Sequence, residues 1–260
     1  MSKTKMAAVM FTGGILLLLL GCSQSSLPAS ANTDRESNFK EKEMLQFKKT
    51  TEVSEEDSQT SAGKKAVKKT VLDVPLVNQM ASPQIYNGCE VSSLAMLLKY
   101  HGYEVTKSEL ADKIPRVPLT YENGLKGNPN KGFVGDMEDG PGLTVYHGPI
   151  HNLAADYAGK QAVDLTGKSA ETLFQHVSNG MPVWVITTTN SVPVNNFKTW
   201  NTPSGKIQVT FSVHSVVVTG VDEKYVYINN PYGYKNQRLS KENFIAAWKQ
   251  MGSQAVTITN

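Results

Sequence analysis

Cys89 is the residue whose place in the sequence best suits it to chemistry. It follows the turn signal Asn87-Gly88 and opens a run whose apolar residues recur at helical spacing as far as Leu98. A thiol attacks a carbonyl as the thiolate, and the partial positive charge at a helix N-terminus favours that anion. Glu90 is a neighbouring negative charge that works against the thiolate. The pattern predicts a catalytic nucleophile at Cys89, with a buried, inert cysteine as the alternative.

A nucleophilic cysteine needs a base, and in exported enzymes this is normally a histidine. His214 opens the strand-like run Val213 to Val221 and is the candidate base, although a histidine in a core strand is often only a packing residue. His101 ends the nucleophile helix about three turns from Cys89 and is out of reach. The remaining histidines are a surface-helix residue and two that flank a helix start and could rim the cleft: His176, His147 and His151.

Two amide side chains could complete such a site. The next strand ends in Asn229-Asn230-Pro231, and an asparagine there can accept the imidazole N–H of His214 and orient the ring. Strand-end turn chemistry explains the same residues equally well. Gln79 precedes Cys89 by ten residues and could donate its amide N–H to an oxyanion, together with the backbone N–H of Cys89. The alternative for Gln79 is an ordinary loop glutamine.

The second cysteine, Cys22, has a different neighbourhood. Two lysines precede an apolar run from Met6 to Leu20, and Leu19-Leu20-Gly21-Cys22 has the form of a bacterial lipobox. We therefore expect residues 1–22 to be a signal peptide whose cysteine is lipidated, with an uncleaved membrane anchor as the alternative. Both place the rest of the chain on the outer face of the cytoplasmic membrane. Cys89 is then the one thiol of an exported domain and cannot form an internal disulfide.

The remaining chain divides into a polar stretch and a folded domain. Residues 23–69 are rich in Ser, Thr, Gln, Glu and Lys, which predicts a disordered tether. Residues 70–260 form the domain, in which helices come first and strands cluster later. That order predicts an α+β fold rather than alternating βαβ units. A long segment rich in Gly, Pro, Asn and Asp, from Pro115 to Pro149, is typical of a cleft lip.

Hydrophobic periodicity and turn signals give the elements of this domain. The predicted helices are Cys89–Tyr100, ended by Gly102, Thr106–Ile114, which begins with a capping box, Ile150–Tyr157, Ser169–Asn179 and Lys241–Met251. The predicted strands are Val71–Val77 at an edge, Pro182–Thr187, a meander of Lys206–Ser212, Val213–Val221 and Tyr225–Asn229, and a final Ala255–Ile258.

Charge and composition exclude several other functions. The net charge of +3 at pH 7 gives no indication of nucleic-acid binding. There is no cluster with metal-ligand spacing, so we expect no metal and no cofactor. The acidic turn Asp136 to Gly140 lacks the spacing of a calcium loop and reads better as a solvated loop. Three aromatic residues could line the cleft or belong to the core: Trp184, Trp200 and Tyr232.

Several segments together resemble the exported relatives of the bacteriocin-leader (double-glycine) peptidases, which are papain-fold cysteine peptidases. The segments are Val74-Pro75-Leu76-Val77-Asn78-Gln79, Asn87-Gly88-Cys89-Glu90-Val91-Ser92-Ser93-Leu94-Ala95-Met96, Gly132-Phe133-Val134-Gly135, His214-Ser215-Val216-Val217-Val218-Thr219-Gly220 and Ile228-Asn229-Asn230-Pro231-Tyr232-Gly233. The resemblance implies a papain-like fold with Cys89 as nucleophile, His214 as base, Asn230 as the residue that orients the ring and Gln79 in the oxyanion hole.

Two features depart from that family. Its members most often carry aspartate where this chain has Asn230, and the leader peptidases are joined to a transporter, which is not seen here. We therefore expect a monomeric, membrane-anchored cysteine peptidase that acts on a peptide or cell-envelope amide. The resemblance does not imply that it cleaves double-glycine leaders. Two alternatives stay open: a peptidoglycan-directed Cys–His amidase or endopeptidase, and a lipoprotein that uses the same fold to bind peptides without catalysis.

Overall fold

The structure, a computed structural model, describes residues 70–260. The predicted signal peptide, its lipidated Cys22 and the polar tether of residues 23–69 lie outside the described residues. Within residues 70–260 no helix is both long and apolar enough to cross a membrane.

Five α-helices and a short 3-10 helix, Gly159–Gln161, are interspersed with eleven strands in the described part of the chain. The helices are α1 Cys89–Tyr100, α2 Lys107–Lys113, α3 His147–Ala158, α4 Ala170–Ser178 and α5 Lys241–Gln250. The strands are β1 Thr70–Val71, β2 Arg116–Val117, β3 Phe133–Val134, β4 Ala162–Asp164, β5 Val183–Thr188, β6 Lys198–Thr202, β7 Gly205–Val209, β8 Val213–Val221, β9 Tyr225–Asn230, β10 Tyr234–Ser240 and β11 Ala255–Ile258.

One seven-stranded antiparallel sheet organises the molecule. Its strand order is β10-β9-β8-β5-β11-β4, and β1 pairs with β8 in addition. Both β5 and β8 are buried along their whole length, as expected for strands covered on two faces. Hairpin β6–β7 and the short parallel pair β2–β3 stand apart from this sheet. The α+β prediction is confirmed.

Helices cover both faces of the sheet. Alternate residues of β5 point to opposite sides, so Trp184 and Ile186 pack with α1, α2 and α3, whereas Val183 and Val185 pack with α4 and α5. The burial of these two layers of apolar side chains is the main force that holds α1, and therefore Cys89, at a fixed place on the sheet.

Several element predictions agree with the structure in detail. Thr106 caps α2 by accepting the N–H of Glu109, and Ser169 caps α4 by accepting the N–H of Thr172. Gly102 follows α1 with a positive φ of 84°, the conformation in which glycine ends helices most easily. Strands β8 and β11 have the predicted bounds.

Other element predictions were wrong, each for a local reason. Strand Val71–Val77 stops at Val71, with one more ladder bond from Leu72 N–H to the Thr219 carbonyl, and Pro75 has no N–H with which to continue it. Helix α3 begins at His147 rather than Ile150, since a proline is tolerated in a first helical turn.

Two further corrections concern the meander. The strand predicted at Lys206–Ser212 is β7, which pairs with β6 across a tight turn instead of joining the main sheet. The third strand of the meander is β10, which was missed because Tyr234–Ser240 is mostly polar. β10 lies at the edge of the sheet, where a half-exposed strand does not need an apolar run.

Gly220 allows β1 to lie against β8. A Cβ atom at this position would be 2.4 Å from the Thr70 carbonyl oxygen, well inside van der Waals contact. The strand pairing Val71 to Gly220 depends on this close approach of two backbones.

We expect Gly220→Ala to lower the free energy of unfolding by about 1–3 kcal/mol, because β1 must move away from β8. Urea denaturation measures the change. Gly148→Ala is the matched control: it lies in the first turn of α3, where a Cβ meets nothing within 4 Å, and it should leave stability unchanged or slightly higher. Equal stabilities for the two variants would contradict the role assigned to Gly220.

Candidate active site

Cys89 is the first residue of α1 and is 8% exposed. The preceding turn closes with a hydrogen bond from Gly88 N–H to the Ile85 carbonyl, 3.0 Å long. A Cβ on Gly88 would lie 2.5 Å from the Ile85 side chain, so only glycine lets the chain enter the helix here. The thiol therefore sits at the positive end of a twelve-residue helix, as the sequence predicted.

The acidic turn at residues 136–140 forms hydrogen bonds with Asn87, two residues before Cys89. Asn87 donates its backbone N–H to the Met137 carbonyl at 2.8 Å, and its Nδ2 to the carbonyls of Asp136 and Gly140 at 3.2 and 3.1 Å. The Asp136 carboxylate accepts backbone N–H groups within its own turn, which holds the pKa of Asp136 below its usual value. The turn is therefore a docking element for Asn87, a function that its sequence did not suggest.

Glu90 is fully buried beside Cys89. Thr144 Oγ1 donates a hydrogen bond to the Glu90 carboxylate, and Trp184 Nε1 donates to the Glu90 backbone carbonyl at 3.1 Å. Burial, together with the charge of Glu90, raises the pKa of the neighbouring Tyr146 to about 12. The contact with Trp184 ties the first turn of α1 to the start of β5, and Trp184 belongs to the core rather than to the cleft.

His214, the second residue of β8, is 1% exposed and lies opposite Thr187 of β5. Its Nε2 is 3.0 Å from Oδ1 of Asn230. The ring of Tyr232 stacks on the imidazole with 4.6 Å between centroids and 14° between planes. Tyr232 thus belongs to the site, whereas Trp200 is buried against Phe211 and belongs to the core.

The hydrogen bonds of Asn230 define the tautomer of His214. The Asn230 Oδ1 atom accepts the backbone N–H of Tyr232 at 3.0 Å, and its Nδ2 donates to Gln237 Oε1 at 3.2 Å. An N–H can only donate, so Oδ1 is an acceptor and His214 Nε2 must carry the proton. The lone pair of the neutral ring is then on Nδ1, the form that a general base requires.

Asn229 has a different set of contacts. Its Nδ2 donates to the Val74 carbonyl at 2.9 Å, and its Oδ1 accepts the backbone N–H of Asn236 at 2.9 Å. Asn229 therefore ties β9 to β10 and to the segment that follows β1, and Asn230 is the one of the two that contacts the His214 ring.

Gln79 is 1% exposed and connects the two halves of the site. Its backbone N–H donates to the Pro231 carbonyl at 2.8 Å, next to Asn230, and its backbone carbonyl accepts the N–H of Ile85 at 2.9 Å. Its Nε2 donates to the Tyr86 carbonyl at 2.8 Å. That bond uses one of two amide hydrogens and fixes the amide orientation.

A direct contact joins α1 to β8 near the site. Ser93, one helical turn after Cys89, donates its hydroxyl to the carbonyl of Ser215 at 3.1 Å, and Ser215 follows His214. With the bond from Gln79 to Pro231, this contact joins the loop and helix that carry Gln79 and Cys89 to the start of β8, which carries His214, and to the end of β9, which carries Asn230.

The other histidines lie elsewhere in the fold. His101 lies at the far end of α1, where burial lowers its pKa. His147 Nδ1 is 2.6 Å from Asp164 Oδ2, His176 donates to the Thr172 carbonyl, and His151 is 3.3 Å from the Ala162 carbonyl. Among residues 70–260, no group of three or more His, Cys, Asp or Glu side chains could hold a metal ion.

Sequence reasoning missed several residues that position the site. Thr144, Gln237 and Lys107 all make contacts through side chains that come from loops or from elements distant in sequence. Periodicity carries no signal for such contacts. Tyr232 was considered only as a possible cleft or core aromatic, and its stacking on His214 depends on the turn after β9.

Comparison with known proteins agrees with this fold. A family model described as "Peptidase_C39 like family" matches residues 71–256. The chain is 58% identical over 209 residues to the uncharacterized protein YvpB of Bacillus subtilis (strain 168), covering 79% of this chain and 84% of YvpB. A crystal structure of a candidate C39-like peptidase from Bacillus anthracis is similar with a TM-score of 0.71 and 42% identity, covering 74% of this chain and 98% of the other. The fold is papain-like.

We expect Asn230→Asp to increase the reactivity of Cys89. The carboxylate still accepts from His214 Nε2, and its negative charge favours the imidazolium and hence the thiolate. The midpoint of the pH profile for alkylation of Cys89 by iodoacetamide should move down by about one unit or more.

Asn229→Ala is the control for this measurement. It should lower the melting temperature, because Asn229 bridges Val74 and Asn236, and leave the alkylation profile unchanged. If the midpoint of the alkylation profile is the same in Asn230→Asp as in the wild type, a charge at position 230 has no electrostatic influence on the thiol.

Proposed function

The chain belongs to the Peptidase_C39-like family, and from this premise we propose that it is a cysteine peptidase that hydrolyses a peptide amide bond. The catalytic residues of the proposal are Cys89, His214, Asn230 and Gln79. The observation that carries it is the bond from His214 Nε2 to Asn230 Oδ1, because it fixes the ring in the tautomer that can take a proton at Nδ1.

In the proposed reaction His214 Nδ1 takes the thiol proton and the Cys89 thiolate attacks the carbonyl carbon of the scissile amide. The carbonyl oxygen becomes an oxyanion, which accepts the second amide N–H of Gln79 and the backbone N–H at the start of α1. The imidazolium then returns its proton to the departing amine, and a thioester to Cys89 remains. His214 next removes a proton from water, whose oxygen attacks the thioester and releases the acid and the thiol.

Asn230 and Tyr232 keep the ring of His214 in place during these proton transfers. Asn230 holds Nε2–H from the edge of the ring, and Tyr232 covers its face. With the ring restrained on two sides, the geometry of proton transfer is defined before the substrate arrives. An amide at position 230 adds no charge, so this site relies on orientation more than on stabilisation of the imidazolium.

The same proposal places the enzyme outside the cytoplasmic membrane, held by a lipid on Cys22. The lipobox pattern at Leu19-Leu20-Gly21-Cys22 is its support. The substrate would then be a peptide or a peptide-like amide of the cell envelope, and the protein would act as a monomer without a cofactor.

Labelling with a peptidyl epoxide tests the catalytic roles. We expect the wild type to gain one label at Cys89, read by mass spectrometry, and Cys89→Ala to gain none. His214→Ala should lower the labelling rate by about 10²–10⁴-fold, because the base is lost. His101→Ala, a histidine at the opposite end of the same helix, is the matched control and should label normally.

Labelling and hydrolysis together distinguish a peptidase from a wall-directed amidase or endopeptidase and from a peptide-binding protein without catalysis. A wild type that labels no faster than Cys89→Ala would reject catalysis and favour a peptide-binding protein of the same fold. With labelling established, hydrolysis of an unfolded protein supports the peptidase, whereas cleavage of purified peptidoglycan alone identifies a wall-directed amidase or endopeptidase.

The lipid anchor has its own test in cells. Cys22→Ala should abolish incorporation of labelled palmitate and release the protein from the membrane fraction, because no thiol is left at the lipobox. Cys89→Ala keeps Cys22 and should behave as the wild type. Membrane retention of both proteins without incorporation of the label would support an uncleaved anchor instead.

A further inference from the structure

Lys107 is a buried cation beside the candidate site. It is the first residue of α2, where a lysine is normally exposed, yet it is only 7% exposed. Its side chain runs toward the loop that carries Gln79 instead of toward solvent.

The Lys107 ammonium is surrounded by backbone carbonyls of that loop. Nζ donates to the carbonyl oxygens of Asn78 at 2.7 Å, Gln79 at 3.0 Å and Ala81 at 2.6 Å. An ammonium has three N–H donors, and each of them has an acceptor here. Burial lowers the pKa of Lys107, so the protein keeps the charged group at a place where desolvation opposes it.

These three bonds connect separate residues of the loop through one charged group. The carbonyl dipoles of Asn78, Gln79 and Ala81 converge on one point, and without a cation they would repel each other in a poorly solvated place. The backbone of the loop makes further bonds: Gln79 N–H donates to the Pro231 carbonyl, Ile85 N–H to the Gln79 carbonyl, Ala81 N–H to the Asn78 carbonyl, and Met80 N–H to Asn78 Oδ1. Each of these bonds orients one group of the loop, whereas the Lys107 ammonium joins three of its carbonyls at one point.

We propose that Lys107 is a positioning residue for the oxyanion hole: its ammonium holds the loop of Asn78 to Ala81 so that the Gln79 amide is aimed at the developing oxyanion. The inference rests on the proposed peptidase function and adds a residue to that site. Lys107 touches neither the substrate nor the reacting atoms.

The role predicts a difference between two reactions of the same thiol. Hydrolysis of an amide passes through an oxyanion and needs Gln79. Alkylation by iodoacetamide displaces iodide at a saturated carbon, forms no oxyanion, and needs only the thiolate of Cys89 with His214. A positioning role in the oxyanion hole therefore affects the first reaction and leaves the second unchanged.

We expect Lys107→Met to lower kcat/KM for a peptide substrate by about 10²-fold, mostly through kcat, because removing one oxyanion donor has an effect of this size. The alkylation rate and its pH profile should stay within about 2-fold of the wild type. Gln79→Ala should behave in the same way, and the double variant should be no worse than Gln79→Ala alone, because both changes remove one interaction. Lys113→Met, on the exposed side of the same helix, is the matched control and should retain full hydrolysis.

Lys107→Arg covers the case in which Lys107→Met does not fold. It keeps a positive charge but spreads the donors over a planar group, so three carbonyls cannot meet one nitrogen. We expect it to fold, to alkylate normally and to hydrolyse the peptide more slowly.

The outcomes distinguish this inference from the proposed function. Full hydrolysis by Lys107→Arg and Lys107→Met, or an equal loss of alkylation and hydrolysis, would overturn the role of Lys107 while the peptidase stands. A wild type without hydrolysis and without His214-dependent alkylation would overturn the peptidase itself.

Discussion

The hydrogen bond from Gln79 N–H to the Pro231 carbonyl joins two parts of the chain that must meet for the site to exist. Gln79 and Cys89 belong to a loop and a helix near the start of the domain, whereas His214 and Asn230 belong to sheet strands. A nucleophile and its base need to be placed within a fraction of an ångström, and packing of apolar side chains alone does not give that precision. Directional hydrogen bonds across the junction give that precision.

Two further bonds cross the same junction and act with the first. The Ser93 hydroxyl donates to the carbonyl of Ser215, the residue after His214. Trp184 Nε1 donates to the carbonyl of Glu90. All three join a backbone group on one side to a group on the other, and all involve buried residues. In a poorly solvated place such bonds are costly to leave unmade, so the junction has one favoured arrangement rather than several.

The sequence carried enough information for the fold class, and local patterns were enough to predict Cys89 and His214 as site residues. A turn before an amphipathic helix identified Cys89, and a histidine at the start of a buried strand identified His214. What sequence could not supply was the set of contacts made at long range. The choice between Asn229 and Asn230 depends on which side of β9 faces His214, and the burial of Lys107 depends on a loop more than twenty residues earlier. The polar edge strand β10 was not predicted for the same reason. It is a strand because it pairs with β9, and its composition alone does not indicate one.

The pairing of β1 with β8 places the first described residues of the domain at one end of β8 and His214 at the other. Strand β1 runs antiparallel to β8, with Thr70 opposite Val221, while His214 lies at the other end of β8. Seven residues of strand separate the two ends, roughly 23 Å. Thr70, the first described residue, therefore lies far along the sheet from the proposed catalytic residues His214 and Asn230. With the proposed lipid anchor attached through the Thr70 end, the proposed catalytic residues can face envelope polymers and secreted chains instead of the bilayer.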